Sequence, residues 1–130
     1  MERSNLQYKD PKIEKIDFEI NNDNEYNPNL PVSIEVNSDI DQESNISTTK
    51  LKLTVGNCNE DHKVLTAFYF CCIISANFHW NENVKNPERM LQINGGSMLL
   101  SYIRPILSSI TMQAGLKPLN LPFIDFTKGL

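Results

Sequence analysis

Histidine, cysteine and glycine are scarce in this sequence, and each shortage excludes a class of function. The two histidines are His62 and His79, and the three cysteines are Cys58, Cys71 and Cys72. They form no Cys-x-x-Cys or His-x-x-x-His pair, so the spacing of known zinc sites is missing. Nor do three cysteines, two of them adjacent, make a disulfide framework, because neighbours on a strand point to opposite faces. Gly95-Gly96 is followed by no Lys-Ser/Thr and belongs to no Gly-x-Gly-x-x-Gly. The pair reads as a turn and not as a phosphate cradle. Long apolar runs are absent too. The longest stretch, Val64–Ile74, is broken by Thr66 and is shorter than the roughly 20 residues that span a bilayer. Met1–Asp10 is polar and charged, without the apolar core of a signal peptide. A reducing cytoplasm is the expected location, which makes the sequon Asn45-Ile46-Ser47 a chance match. Positive charge is outnumbered: 12 Lys and Arg stand against 16 Asp and Glu, a net charge of −4. No basic stripe exists to hold phosphates, so neither nucleic acid nor membrane is expected as a partner.

What remains is a soluble globular chain of 130 residues, 40% of them hydrophobic. That is the size of one domain, able to bury a core without metal or disulfide. Residues 1–130 are read as a single domain, with 1–12 a flexible N-terminus.

Three segments alternate apolar and polar residues, the period of a half-buried strand. They carry Ile16, Phe18 and Ile20, then Val32, Ile34 and Val36, then Leu51, Leu53 and Val55. The intervening Asn21–Pro31 and Asn37–Asn45 read as loops. The fourth segment, Val64–Phe78, is apolar on both faces and needs a second cover, whether a helix, another subunit or a ligand. Pro87 then opens a short helical piece, Glu88–Ile93, closed by Asn94-Gly95-Gly96. From Ser97 the period becomes helical, with Leu99, Tyr102, Ile103, Ile106, Leu107, Ile110 and Ala114 on one stripe. Gly115 is the expected stop. Pro105 is costly in a helix interior, so the regular helix starts near Ser101 or is kinked there. Leu116–Phe126, with Pro118 and Pro122, must be extended. The fold class is therefore α+β in two layers: a four-stranded antiparallel sheet, one main amphipathic helix and an extended C-terminal segment.

Catalytic chemistry has little to stand on. Cys58 and His62 lie four apart, but nothing beyond proximity makes them a nucleophile–base pair. Carboxylates are scattered over loops and wet faces. Arg104, alone in an apolar helix, either grips a partner carboxylate or pairs within the fold. The residues point to a binding protein without naming its ligand.

The C-terminal third carries a more specific pattern. Ser101-Tyr102-Ile103-Arg104 is followed by Gly115-Leu116 and then by Leu119-Asn120-Leu121-Pro122-Phe123-Ile124-Asp125-Phe126. This order resembles the SecB family of export chaperones, which has a Pro-Tyr-hydrophobic-Arg helix start and a Leu-Asn-Leu-x-Pro-hydrophobic-Asn-Phe tail. Lys15–Glu19, Asn27-Pro28 with Val32–Val36, Leu51–Val55 and Thr66-Ala67-Phe68 are similar to the family's four strands. The resemblance spans residues 13–126. It departs from the family at Ser101 and Pro105, where Pro and Glu are usual.

The resemblance implies a SecB-like fold that forms homo-oligomers, dimers or tetramers, with the main helices between subunits. It implies a chaperone or holdase that binds unfolded or partly folded polypeptides, is not an enzyme and uses no cofactor. The client-contact residues it suggests are Phe68, Phe70, Ile74, Phe78 and Trp80. The subunit-interface residues are Leu99, Tyr102, Ile103, Ile106 and Ile110. The chain stops at Leu130, so the family's last helix and its zinc-binding tail that contacts SecA are expected to be missing. Of the family's acidic export surface Glu19 matches, but its neighbours are Lys15 and Cys71. Coupling to SecA is therefore not expected. The alternative is a dedicated partner-binding module, such as an antitoxin-stabilising or mobile-element protein.

Overall fold

Alternation of apolar and polar side chains over three stretches, and a fourth that is apolar on both faces through Ile74, produce a single sheet. The computed structural model describes residues 6–23, 30–122 and 124–128. Its strands are β1 (Leu6–Ile20), β2 (Val32–Asp41), β3 (Ile46–Val55) and β4 (Phe68–Trp80). They lie in the order β1-β4-β3-β2 with every neighbouring pair antiparallel. Met1–Asn5, the 24–29 part of the first loop with Asn27-Pro28, and Phe123 lie outside the described residues.

The strands are longer than their alternation suggested. β1 begins at Leu6, within the stretch expected to be flexible. Its pattern is masked because Asp10 takes a left-handed φ of 56° before Pro11. The register against β4 shifts there and again between Ile13 and Lys15. Each shift is a bulge, which inserts a residue and breaks the two-residue period. Asn37–Asp41, read as loop, instead completes β2. All of these but Ile40 are polar because β2 is an edge strand, and the turn shrinks to the few residues between Asp41 and Ile46. β4 starts at Phe68, not Val64. Val64 belongs to a loop that doubles back, bridging to Cys58.

The helical region is continuous where a break was expected. α1 (Pro87–Met90) leads into one π-turn (Leu91–Gly95) and then α2 (Gly96–Gln113). Asn86 caps the start by accepting the Arg89 N–H at 3.1 Å. Gly95 and Gly96 keep ordinary helical angles, near −63°/−45° and −58°/−46°. They serve close packing: a Cβ on Gly96 would lie 2.9 Å from the Phe126 ring and 3.3 Å from Val36. Pro105 sits inside α2 on its exposed side. Gly115, at φ 84°, ends the helix. The Gly115 N–H reaches the Met112 carbonyl at 3.1 Å and the Leu116 N–H reaches that of Thr111 at 3.0 Å, which together satisfy two of the last carbonyls.

α2 lies against β4 and β3, and the π-turn against β2. The core fills the space between. Phe68, Phe70, Phe78 and Ile74 of β4 meet Leu51 and Leu53 of β3 and Leu99, Leu100, Ile103 and Leu107 of α2. Each such side chain contributes about 1.5–3 kcal/mol of burial. Even the polar inner residues are satisfied. Thr49 shares its hydroxyl with Ser38 at 2.8 Å and Ser47 at 3.0 Å. The second apolar face of β4 is partly covered within the chain. The Cys58–Val64 loop lies beside Tyr69 at the start of the strand, Val64 and Cys71 are buried, and Ile73 stays half-buried.

Candidate partner-binding surfaces

Phe68, Phe70, Ile74, Phe78 and Trp80 all point toward α2 and are closed off from solvent, none more than 6% exposed. Their alternation on β4 aims them at one face, and that face is filled by the chain's own helix. The structure thus makes these five the core, and the free apolar surface lies elsewhere. Leu99 and Ile103 are likewise sealed inside. Tyr102, Ile106 and Ile110, from the same expected stripe, remain open or half-buried. One stripe on the sequence is two on the helix, a core row and a flank row.

That flank row has company. α2 covers β4 and β3 and leaves the middle of the inner face of β1 open, between the buried Leu6 and the half-buried Phe18 and Ile20. Ile13 pairs with Ile74 and Ile16 with Cys72, so both point to the helix side of the sheet. Yet Ile13 is 45% exposed, Ile16 41% and Tyr8 38%, beside Tyr102 at 37%. Tyr8 and Tyr102 join hydroxyls at 2.9 Å. Their rings meet edge to face with centroids 6.1 Å apart, a favoured aromatic geometry. The hydrogen bond to Tyr8 is the main cause that raises the Tyr102 pKa.

The opposite flank is shaped by the tail. Arg104 turns inward to the chain, donating to the carbonyls of Leu121 at 2.7 Å and Pro122 at 3.0 Å. The Leu119 N–H donates to the Thr111 hydroxyl at 3.0 Å. So anchored, the tail buries Leu121 and Phe126. Beyond Phe126 lie Val36, Ile40 and Val32, which share the inner face of β2 with the buried Ile34 and with Ser38. Val36 and Ile40 are half-buried and Val32 is exposed. Sequence reasoning missed this flank because its residues read as an ordinary strand.

The outer face offers a recess of about 350 Å³ lined by Cys58, His62, Tyr69, Lys15, Asp17 and Val64. Burial, with Cys71 beside it, pushes the Tyr69 hydroxyl up to about 12. No hydrogen bond joins Cys58 to His62 among the described residues. Nor do the described residues include three or more His, Cys, Asp and Glu placed to hold a metal ion. Lys12, Lys15, Lys50 and Lys52 intersperse with carboxylates on this face; Lys50 reaches Glu14 and Lys15 reaches Asp17, each at 3.2 Å. No described helix is long and apolar enough to cross a membrane.

Comparison with known proteins agrees with this architecture. The profile of SecB, described as preprotein translocase subunit SecB, matches residues 5–128. No curated protein matches the sequence. Among solved structures, one similar fold is the Mycobacterium tuberculosis Rv1957 SecB-like chaperone in complex with a ChAD peptide from the Rv1956 HigA1 antitoxin. It aligns with a TM-score of 0.66 at 16% identity, over 93% of this chain and 91% of that one. Another is a protein of unknown function from Streptococcus agalactiae, with a TM-score of 0.55 at 12% identity, over 91% and 97% of the two chains.

Proposed function

The chain belongs to the SecB family, and we propose that it acts as a SecB-like chaperone that holds unfolded or partly folded polypeptides through apolar surface. The observation that carries this reading is the apolar side chains left open on both sides of α2. On the β1 side they are Tyr8, Ile13, Ile16 and Tyr102, and on the β2 side Val32, Val36 and Ile40. A chain of this size has no need to leave both flanks open unless something covers them. The β1 flank suits a second copy of the chain, because Tyr102, Ile106 and Ile110 extend it along the helix. The protein is thus read as a homo-oligomer of the cytoplasm. The β2 flank is left for clients. Coupling to SecA is not part of the proposal, since lysines interrupt the acids of the outer face.

A second reading is favoured by one observation. The similar M. tuberculosis chaperone was solved with a peptide from an antitoxin. This chain would then serve one dedicated protein partner and no general clients. Fluorescence anisotropy separates the two readings. A labelled, permanently unfolded test protein should bind the chain while its native form does not. Absence of binding to several unfolded proteins would remove the general-chaperone reading.

A further inference from the structure

From Arg89 to Ile124 the chain has no Asp or Glu, but it has Arg89, Arg104 and Lys117. In a chain of net charge −4 this stretch, which holds α2 and most of the tail, is positive. Arg104 is half-buried. Its guanidinium donates once from each terminal nitrogen, to the Leu121 and Pro122 carbonyls. Both acceptors are neutral, and among the described residues the charge meets no carboxylate. Asp125, the next acid along the chain, accepts instead from its own Thr127. Of the five N–H donors of a guanidinium, three are left over.

A recess of about 240 Å³ opens between α2 and the tail, lined by Arg104, Pro105, Ser108, Asn120 and Leu121. Ser108 lies one helical turn after Arg104, so the two side chains share a face. The other hydroxyls of α2 are engaged within the helical region. Ser97 donates to the Ile93 carbonyl, Ser101 to that of Met98 and Thr111 to that of Leu107, while Ser109 accepts from Gln113. The Ser108 hydroxyl and the Asn120 carboxamide have no such partner among the described residues. The recess thus gathers a guanidinium, a hydroxyl and an amide with donors to spare, and no acid lines it.

We propose that this recess is a carboxylate-binding site that takes an acidic side chain or the chain end of a bound polypeptide. The proposal rests on the partner-binding function above and adds an ionic anchor to it. The planar fork of Arg104 matches the two oxygens of a carboxylate. Ser108 and Asn120 donate to the lone pairs that remain. Pro105 and Leu121 give the recess apolar walls, which suit the short methylene stem that carries such a group. Phosphate fits less well. Its second charge finds no second cation, because Arg89 and Lys117 do not line the recess.

The site is read on the full chain in nitrogen-15 spectra. Sodium acetate should shift the Arg104 Nε–H signal to saturation, and sodium chloride at equal ionic strength should not. Ser108→Asp places a carboxylate one turn from Arg104. It should leave the fold intact and end the response to acetate, whereas Ser108→Ala and Asn120→Ala should weaken it. No saturable shift, or a shift that survives Ser108→Asp, overturns the proposal. So does sodium phosphate acting at lower concentration than acetate. The source is read by fluorescence anisotropy with three labelled octapeptides of alternating leucine and serine. One ends in an amide, one in a free carboxylate, and one has an amidated end and a central glutamate. The glutamate peptide, the free-end peptide or both should bind about tenfold tighter than the neutral one, the size of one charge-assisted contact. Ser108→Asp should remove that difference. Equal affinity for all three overturns the proposal and keeps the proposed function. Failure of all three to bind counts against the proposed function, and the acetate response alone then decides the site.

Discussion

The Phe126 ring lies over Gly96 so closely that a single methyl group would touch it at 2.9 Å. At Gly95, one residue earlier, the same methyl would meet the Phe78 ring at an ordinary contact distance of 3.6 Å. The two substitutions should therefore have opposite signs. Gly95→Ala gains helix propensity of about 0.8–1 kcal/mol without a clash. Gly96→Ala has the same gain, but overpacking costs about 1–3 kcal/mol and pushes the tail outward. Thermal melting should rise for the first and fall for the second. Equal shifts would mean that the glycines matter only through propensity.

Ile103 and Tyr102 are neighbours on α2 with different work. Ile103 is fully buried, so Ile103→Ala should cost about 2–5 kcal/mol in urea unfolding of the chain. Tyr102→Asp should leave the fold intact and lower the oligomeric state seen by light scattering. A monomeric wild-type chain at micromolar concentration contradicts the self-association claim.

The cysteines report on the loop that closes the outer face. Cys71 and Cys72 are buried and Cys58 is partly exposed. Iodoacetamide should modify Cys58 first in the native chain and all three after denaturation. Mass spectrometry counts the adducts. Early modification of Cys71 would show that the Cys58–Val64 loop does not cover β4.

Stability should decline in alkali. Burial, reinforced by Cys71, pushes the Cys72 thiol up to about 11, and burial first of all pushes Tyr69 up to about 12. Both groups keep their protons longer in the folded chain than in the unfolded one. Their contribution is whole below the unfolded values, about 8.5 for a thiol and 10 for a phenol, and is lost as pH rises through 11 and 12. The urea midpoint should fall between about pH 9 and pH 11.5, and Cys72→Ala should flatten the lower part of that fall. A midpoint that does not move would count against the burial of both groups.

Much of the fold was legible in the residues. Phe18, Ile34 and Leu53 sit on alternating stretches, and Gly115 stops the helix as its spacing requires. What was hidden has physical causes. Bulges at Asp10 and near Glu14 shift the parity of β1 and erase its pattern. Asn37 and Asp39 look like loop because an edge strand is wet on more than one side. Gly95-Gly96 reads as a stop since sequence cannot show an aromatic ring pressed against a helix. The family was legible in Tyr102, Arg104 and the Leu119–Phe126 tail. The site was less so. Phe70 and Phe78 alternate in the same way whether their cover is a client or the chain's own helix, and the structure supplies the helix.

The central claim is that this chain holds unfolded polypeptides through the open flank between α2 and β2. Its most direct test is light scattering of a chemically denatured protein diluted into buffer, with the chain at stoichiometric excess. Wild type should suppress aggregation, and V32D/V36D, which alters the β2 flank, should suppress it much less while still folding. Aggregation that proceeds unchanged in the presence of folded wild-type chain would contradict the claim.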